Sequence, residues 1–131
     1  MNYRDYIIKV KPIKYCEARI NEPHLSDNRH KAELTYDLSI QRCHGDNPPF
    51  EGAVQLDLVY YMPIPKLTRL RSPSQFHYTN PSLAELTQHL ELALFKAQVL
   101  KNKDQISIFT QQKLYDKNPR VIFRITELHE K

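Results

Sequence analysis

Apolar and polar residues alternate over residues 3–10, where Tyr3, Tyr6, Ile8 and Val10 stand among polar neighbours before Lys11-Pro12, and this pattern predicts a first strand. Pro23–Asp27 reads as a loop in which Ser26 or Asp27 is placed to cap the next element. From Asn28 to about Cys43, Leu34 and Leu38, joined by Ala32 and Ile40, recur at helical spacing and predict an amphipathic helix. Gly45-Asp46-Asn47-Pro48-Pro49 ends it.

Ala53–Met62 carries the clearest strand signal, with Val54, Leu56, Leu58 and Tyr60 on one face and Asp57 on the other. Pro63, Pro65 and Pro73 then keep residues 63–81 out of regular structure. Thr79-Asn80-Pro81 predicts a helix start, and Ser82-Leu83-Ala84-Glu85 has the letters of a capping box. Leu83, Leu86, Leu90, Leu94 and Ala97 mark the apolar face of that helix to about Gln98. Strand-like runs come next at Gln105–Thr110, with Ile106 and Ile108 on one face, and at Val121–Leu128, with Asp116-Lys117-Asn118-Pro119 as the turn between them. The order β-α-β-loop-α-β-β predicts an α+β domain, a mixed β-sheet with two helices packed on it.

At 131 residues the chain has the length of a single domain, 1–131, and its 40% hydrophobic and 26% charged content fits a soluble globular class. Its two glycines, Gly45 and Gly52, cannot build a phosphate-cradling loop, which removes P-loop and dinucleotide-binding readings. No apolar run approaches the roughly 18 residues of a membrane span, and Met-Asn-Tyr-Arg-Asp opens no signal-peptide core, so no membrane partner and a cytoplasmic location are expected. Cys16 and Cys43 are not paired as C-x-x-C, and the six histidines form no H-x-x-x-H pattern; reduced thiols are expected, and no zinc site.

The net charge of +4 permits polyanion binding, and its distribution is uneven. Lys66, Arg69 and Arg71 fall in a stretch without acidic residues inside the Pro-rich loop, and Lys96, Lys101 and Lys103 fall in another. Lys66, Arg69, Arg71, Lys101, Lys103 and Lys113 are the candidates for phosphate contact, against the plainer reading of solvated surface charge. Tyr60, Tyr61, Phe76 and Tyr78 flank the loop and read first as core or interface residues, second as platforms for base stacking.

Several segments succeed one another in a recognisable series: Val54-Gln55-Leu56-Asp57-Leu58-Val59-Tyr60-Tyr61-Met62-Pro63, the basic loop, Pro81-Ser82-Leu83-Ala84-Glu85-Leu86, Asn102-Lys103-Asp104-Gln105-Ile106, Lys113-Leu114-Tyr115, and Pro119-Arg120-Val121 through Ile125-Thr126-Glu127. In this series the chain resembles the RusA-type Holliday junction resolvases of bacteria and their prophages over nearly its whole length. In that family the second helix opens with Pro-Asp-x-Asp-Asn-Leu, and Asp-Asp-x-Gln-(Val/Ile) and a Lys-x-Tyr strand come after it. The resemblance implies an intertwined homodimer that cuts four-way DNA junctions in recombination and repair, using Mg²⁺ held by aspartates at three positions.

Those three positions are occupied here by Ser82, Ala84 and Lys103, and a family lysine one helical turn on corresponds to Gln88. Mg²⁺ takes hard oxygen ligands, whereas Ser is neutral, Ala has no donor and Lys carries a like charge. Two unit charges about 4 Å apart repel by roughly 4 kcal/mol at an effective dielectric near 20, and a divalent ion roughly doubles that. The expectation is therefore a RusA-like homologue that has lost Mg²⁺-dependent endonuclease activity, needs no cofactor, and contacts structured DNA through phosphates. Two rivals stand beside it. One is an active endonuclease whose carboxylates have relocated to Glu85 and Asp104, with Asp57 as a further candidate; the other is a protein-interaction module that kept only the scaffold.

Overall fold

The computed structural model describes residues 2–13, 23–64, 76–79 and 81–128, and the side chains of all of these except 23–30 and Lys103. The element order is β1 (Tyr3–Ile8), α1 (Pro23–His44), β2 (Val54–Pro63), α2 (Leu83–Lys96), a short 3-10 turn η1 (Lys103–Gln105), β3 (Ile106–Asp116) and β4 (Arg120–Glu127). The strands form one mixed sheet in the order β1-β4-β2-β3. β4 lies antiparallel between β1 and β2, while β3 runs parallel to β2, so α2 lies on the crossover that joins a parallel pair. The expected α+β class, mixed sheet and two helices are all present.

Strand alternation decides which face is covered. Along β2, Val54, Leu56, Leu58, Tyr60 and Met62 are buried, and Gln55, Asp57, Val59 and Tyr61 are half-buried on the other face. Register continues the buried face across β4 and β1, because Leu58 pairs with Phe123, which pairs with Tyr6. Leu86, Leu90, Ala93 and Leu94 of α2 and Tyr36 and Ile40 of α1 complete this core. The α2 stripe read from the sequence is thus the packed one. None of the described helices is long and apolar enough to cross a membrane.

Four local expectations change. α1 begins at Pro23, not after a Pro23–Asp27 loop capped by Ser26 or Asp27, since proline has φ preset for the first helical turn and lacks only an amide that would have no partner there. Its buried stripe is Glu33, Tyr36, Ile40 and His44, whereas Leu34 and Leu38 are 59% and 38% exposed. The stripe against β1 and α2 is filled by residues that bring polar atoms with them. Tyr36 stacks on His89 at 4.2 Å, and His89 lies 3.6 Å from Asp37. α2 is capped by Ser82 and not by Asn80. Finally, β3 runs to Asp116 rather than stopping at Thr110, and a register shift after Val54 places Phe109 against the core and leaves Ile108 46% exposed.

Other local signals are realised as read. Gly45 has φ +60° just past the end of α1, and its amide donates to the Gln41 carbonyl at 2.8 Å, the left-handed stop that favours glycine. The Asp116–Pro119 turn is held by the Asp116 carboxylate, which accepts from the Asn118 amide at 3.0 Å and from Arg120 Nη1 at 2.6 Å.

Candidate functional site

A cleft of about 440 Å³ opens between α2 and η1, lined by Gln88, Glu91, Leu92, Phe95, Asn102 and Asp104. Two of the residues singled out by resemblance and chemistry, Gln88 and Asp104, meet in it. Ala84 is exposed one turn before Gln88 on the same face of α2. Lys103 belongs to η1 beside Asp104, and its side chain lies outside the described residues. The described lining combines an apolar floor, with Phe95 48% exposed, and an acidic rim of Glu91 and Asp104.

The first turn of α2 is shaped by hydrogen bonding within the chain. The Glu85 amide donates to Ser82 Oγ at 3.1 Å, and Glu85 Oε1 accepts from the Ser82 amide at 3.1 Å. This reciprocal pair satisfies two backbone donors that a helix start otherwise leaves open. Glu85 and Ser82 are thereby engaged with one another at the helix terminus.

Asp57 stands elsewhere. It lies on the sheet face opposite α2, where Thr110 Oγ1 donates to it at 2.6 Å and Gln55 Nε2 lies 3.1 Å from both carboxylate oxygens. Beside it Asp5 takes Arg124 in a two-pronged contact at 2.6 and 3.0 Å, which holds the Asp5 carboxyl below its usual range. Asp57 and the α2 carboxylates are on opposite sides of the sheet. Among the described residues, no group of three or more His, Cys, Asp or Glu side chains is arranged to hold a metal ion.

The donor set at the resemblance-derived positions does not fit Mg²⁺. Ser82 Oγ already accepts an amide, Ala84 has no donor, Gln88 is neutral, and position 103 is a lysine. Asp104 contributes one exposed carboxylate, whereas Mg²⁺ demands a near-octahedral oxygen shell.

Two of the cationic candidates have partners inside the chain. Lys101 Nζ lies 2.6 Å from Glu51, and both side chains are more than half exposed. Lys113 Nζ donates to the carbonyls of Thr79 at 2.9 Å and Pro81 at 2.7 Å, and burial pulls its pKa down against the opposing pull of Glu85. Lys66, Arg69 and Arg71 lie outside the described residues. Of the aromatic candidates, Tyr60 is fully buried and bonded to Thr87 at 3.0 Å, while Phe76 and Tyr78 are 57% and 79% exposed.

One structural residue was not singled out by sequence reasoning. Gln105, 8% exposed, accepts from the amides of Lys101 at 2.6 Å and Asn102 at 3.0 Å and donates to the carbonyls of Phe50 and Gly52, both at 2.9 Å. It bonds both sides of its amide and fastens η1 to the segment leading into β2. Its place in the Asn102–Ile106 segment, where the resemblance implies a glutamine, was the available signal. No protein-family model matches this chain, and no curated protein matches its sequence.

Proposed function

We propose that this chain is a RusA-like homologue that binds branched or other structured DNA as a homodimer in the cytoplasm and does not cleave it. The observation that carries the reading is the occupancy of the cleft side of α2. Ala84 and Gln88 stand where ligands and a catalytic lysine are expected, and the neighbouring carboxylate, Glu85, is engaged in the helix cap. Hydrolysis of a phosphodiester by this route needs a metal-activated water and a charge clamp at phosphorus, and that donor set supplies neither. Phosphate contact needs only cations, and it dominates DNA affinity.

The phosphate contacts fall chiefly to Lys66, Arg69 and Arg71, since Lys101 and Lys113 have acceptors within the chain. Three phosphate contacts from each protomer, six in the homodimer, give a log–log salt slope of about −5. Measuring retardation of a synthetic four-way junction from low to moderate salt tests this: the slope should be near that value and fall towards zero when all three residues are changed to Ala. Absence of any shift at low salt would remove the DNA reading.

That outcome would favour the second reading, a protein-interaction module. Its specific support is the sheet face away from the helices, which among the described residues leaves Tyr3, Ile7 and Ile108 about half exposed around the Asp5–Arg124 pair. The same face offers a surface for the second copy of the homodimer.

A further inference from the structure

At the end of the sheet where β1 begins, a second cleft of about 480 Å³ shares no lining residue with the first. Its walls include Tyr3, Pro48, Pro49 and Phe50, with Arg4 within and Asn2 and Glu127 also lining it. Arg4 pairs in register with Ile125, which puts it on the helix-covered side of the sheet. Its guanidinium carbon lies 5.7 Å from the centre of the Phe50 ring, and Nη1 is buried without a hydrogen-bond acceptor.

The other arginines of the sheet are handled differently. Arg120 and Arg124 each have a carboxylate oxygen at 2.6 Å. Among the described residues no carboxylate lies within ion-pairing distance of Arg4. Glu127, on the cleft wall, instead accepts from Asn2 Nδ2 at 3.3 Å. A half-buried cation without a counter-ion is costly unless something else supplies the negative charge.

A second unfilled polar group belongs to the same cluster. The Tyr6 hydroxyl lies 2.8 Å from His44 Nδ1, and the Tyr6 ring stacks on Phe123 at 4.6 Å. His44 is 2% exposed, and its Nε2 has no partner. With the hydroxyl donating to Nδ1, Nε2 carries a proton and is a donor in want of an acceptor. Arg4 thus lines the cleft with its guanidinium beside the Tyr6 hydroxyl and within electrostatic reach of His44, which is not itself part of the lining. Arg4 Nη1 and His44 Nε2 are both left without acceptors.

We propose that this cleft binds a small ligand carrying an oxyanion, phosphate or carboxylate, on a flat apolar body, with Arg4 as the counter-charge. The ring of the ligand lies against Pro48 and Pro49, and the oxyanion takes the guanidinium. The volume suits a molecule of this kind, since small-molecule sites span about 300–1,000 Å³. The binding is independent of DNA contact through residues 66–71.

Titration of the unaltered protein with phenyl phosphate, benzoate and phenol at constant ionic strength, followed by NMR and calorimetry, tests the proposal. Saturable binding of at least one of the two anions, about millimolar or tighter, is expected, with shifts at the Arg4 side chain and the Phe50 ring and none from phenol. The stronger of the two anions identifies the headgroup. Arg4→Gln should weaken binding about tenfold or more, and Arg4→Lys, which keeps the charge without the fork, should fall between. If Arg4→Gln does not fold, the ring shifts in the unaltered protein decide the matter alone. No saturation by either anion, equal binding by phenol, or shifts confined to other surfaces would overturn the proposal, and water would then be the partner of the buried nitrogens.

Discussion

The ammonium of Lys113 on β3 donates to the carbonyl of Pro81 at 2.7 Å, one residue before the cap of α2. A second bond to Thr79 at 2.9 Å makes this lysine a clasp between the sheet edge and the helix start. Lys113→Met leaves both carbonyls to water and should lower stability by about 1.5–3 kcal/mol, the range for hydrogen bonds to charged groups. Urea denaturation checks the loss. In junction binding the same variant should keep the salt slope, because its charge has acceptors in the fold; a slope reduced by about two, one for each protomer, would make Lys113 a phosphate contact.

Gln105 concentrates four hydrogen bonds on one amide. Gln105→Leu removes all four and strands the buried carbonyl of Phe50, so a loss of about 3 kcal/mol or more is expected. Hydrogen exchange should accelerate at Lys101 and Asn102 beyond the change in global stability. A loss below about 1 kcal/mol would show that the turn holds without this clamp.

The two stripes of α1 separate cleanly by substitution. Ile40 is fully buried, and Ile40→Ala should cost about 2–5 kcal/mol. Leu38 faces outward, and Leu38→Ala should stay within about 0.5–1 kcal/mol. Thermal unfolding of the two variants measures the contrast, and equal losses would place the sheet-facing stripe wrongly.

Burial holds His44 and His77 below the ordinary value of 6.5, with the positive charges of Arg4 and Lys113 respectively adding to the effect. The folded chain therefore binds these protons later than the unfolded chain as pH falls. Their contribution to stability is fully present above 6.5 and is lost as pH drops from there through the lowered folded values. The melting temperature should decline between roughly pH 7 and 5, and His44→Gln with His77→Gln should flatten that limb. An unchanged limb in the double variant would assign the decline to other groups.

Much of the fold is legible in the chain because its signals are local. Gly45 stops α1 through its own φ, and the Ser82–Glu85 cap needs only its four residues. Val54 to Met62 alternates over a whole strand, so its buried face is readable without a partner. The stripe of α1 was not legible, because leucines at 34 and 38 outscore a stripe made of Glu33, Tyr36 and His44 when tertiary contacts are unknown. The shift that turns Phe109 inward and Ile108 outward belongs to pairing with β2 and leaves no mark within β3. Gln88 and Asp104, singled out by segment order, line one cleft, whereas the roles of Gln105 and Lys113 depend on carbonyls up to 55 residues away. Tyr6 and His44 meet across 38 residues, with Arg4 beside them, and carry no motif at all.

The most direct measurement is a denaturing-gel assay of a labelled four-way junction incubated with Mg²⁺ or Mn²⁺, at protein concentrations that fully retard it in a native gel. Intact strands are expected at every time point, since the cleft side of α2 presents Ala84 and Gln88 and keeps Glu85 in the helix cap. Metal-dependent nicks that disappear when Glu85 and Asp104 are both changed to Ala would contradict the account, because they would show that a working metal site has been rebuilt from those two carboxylates.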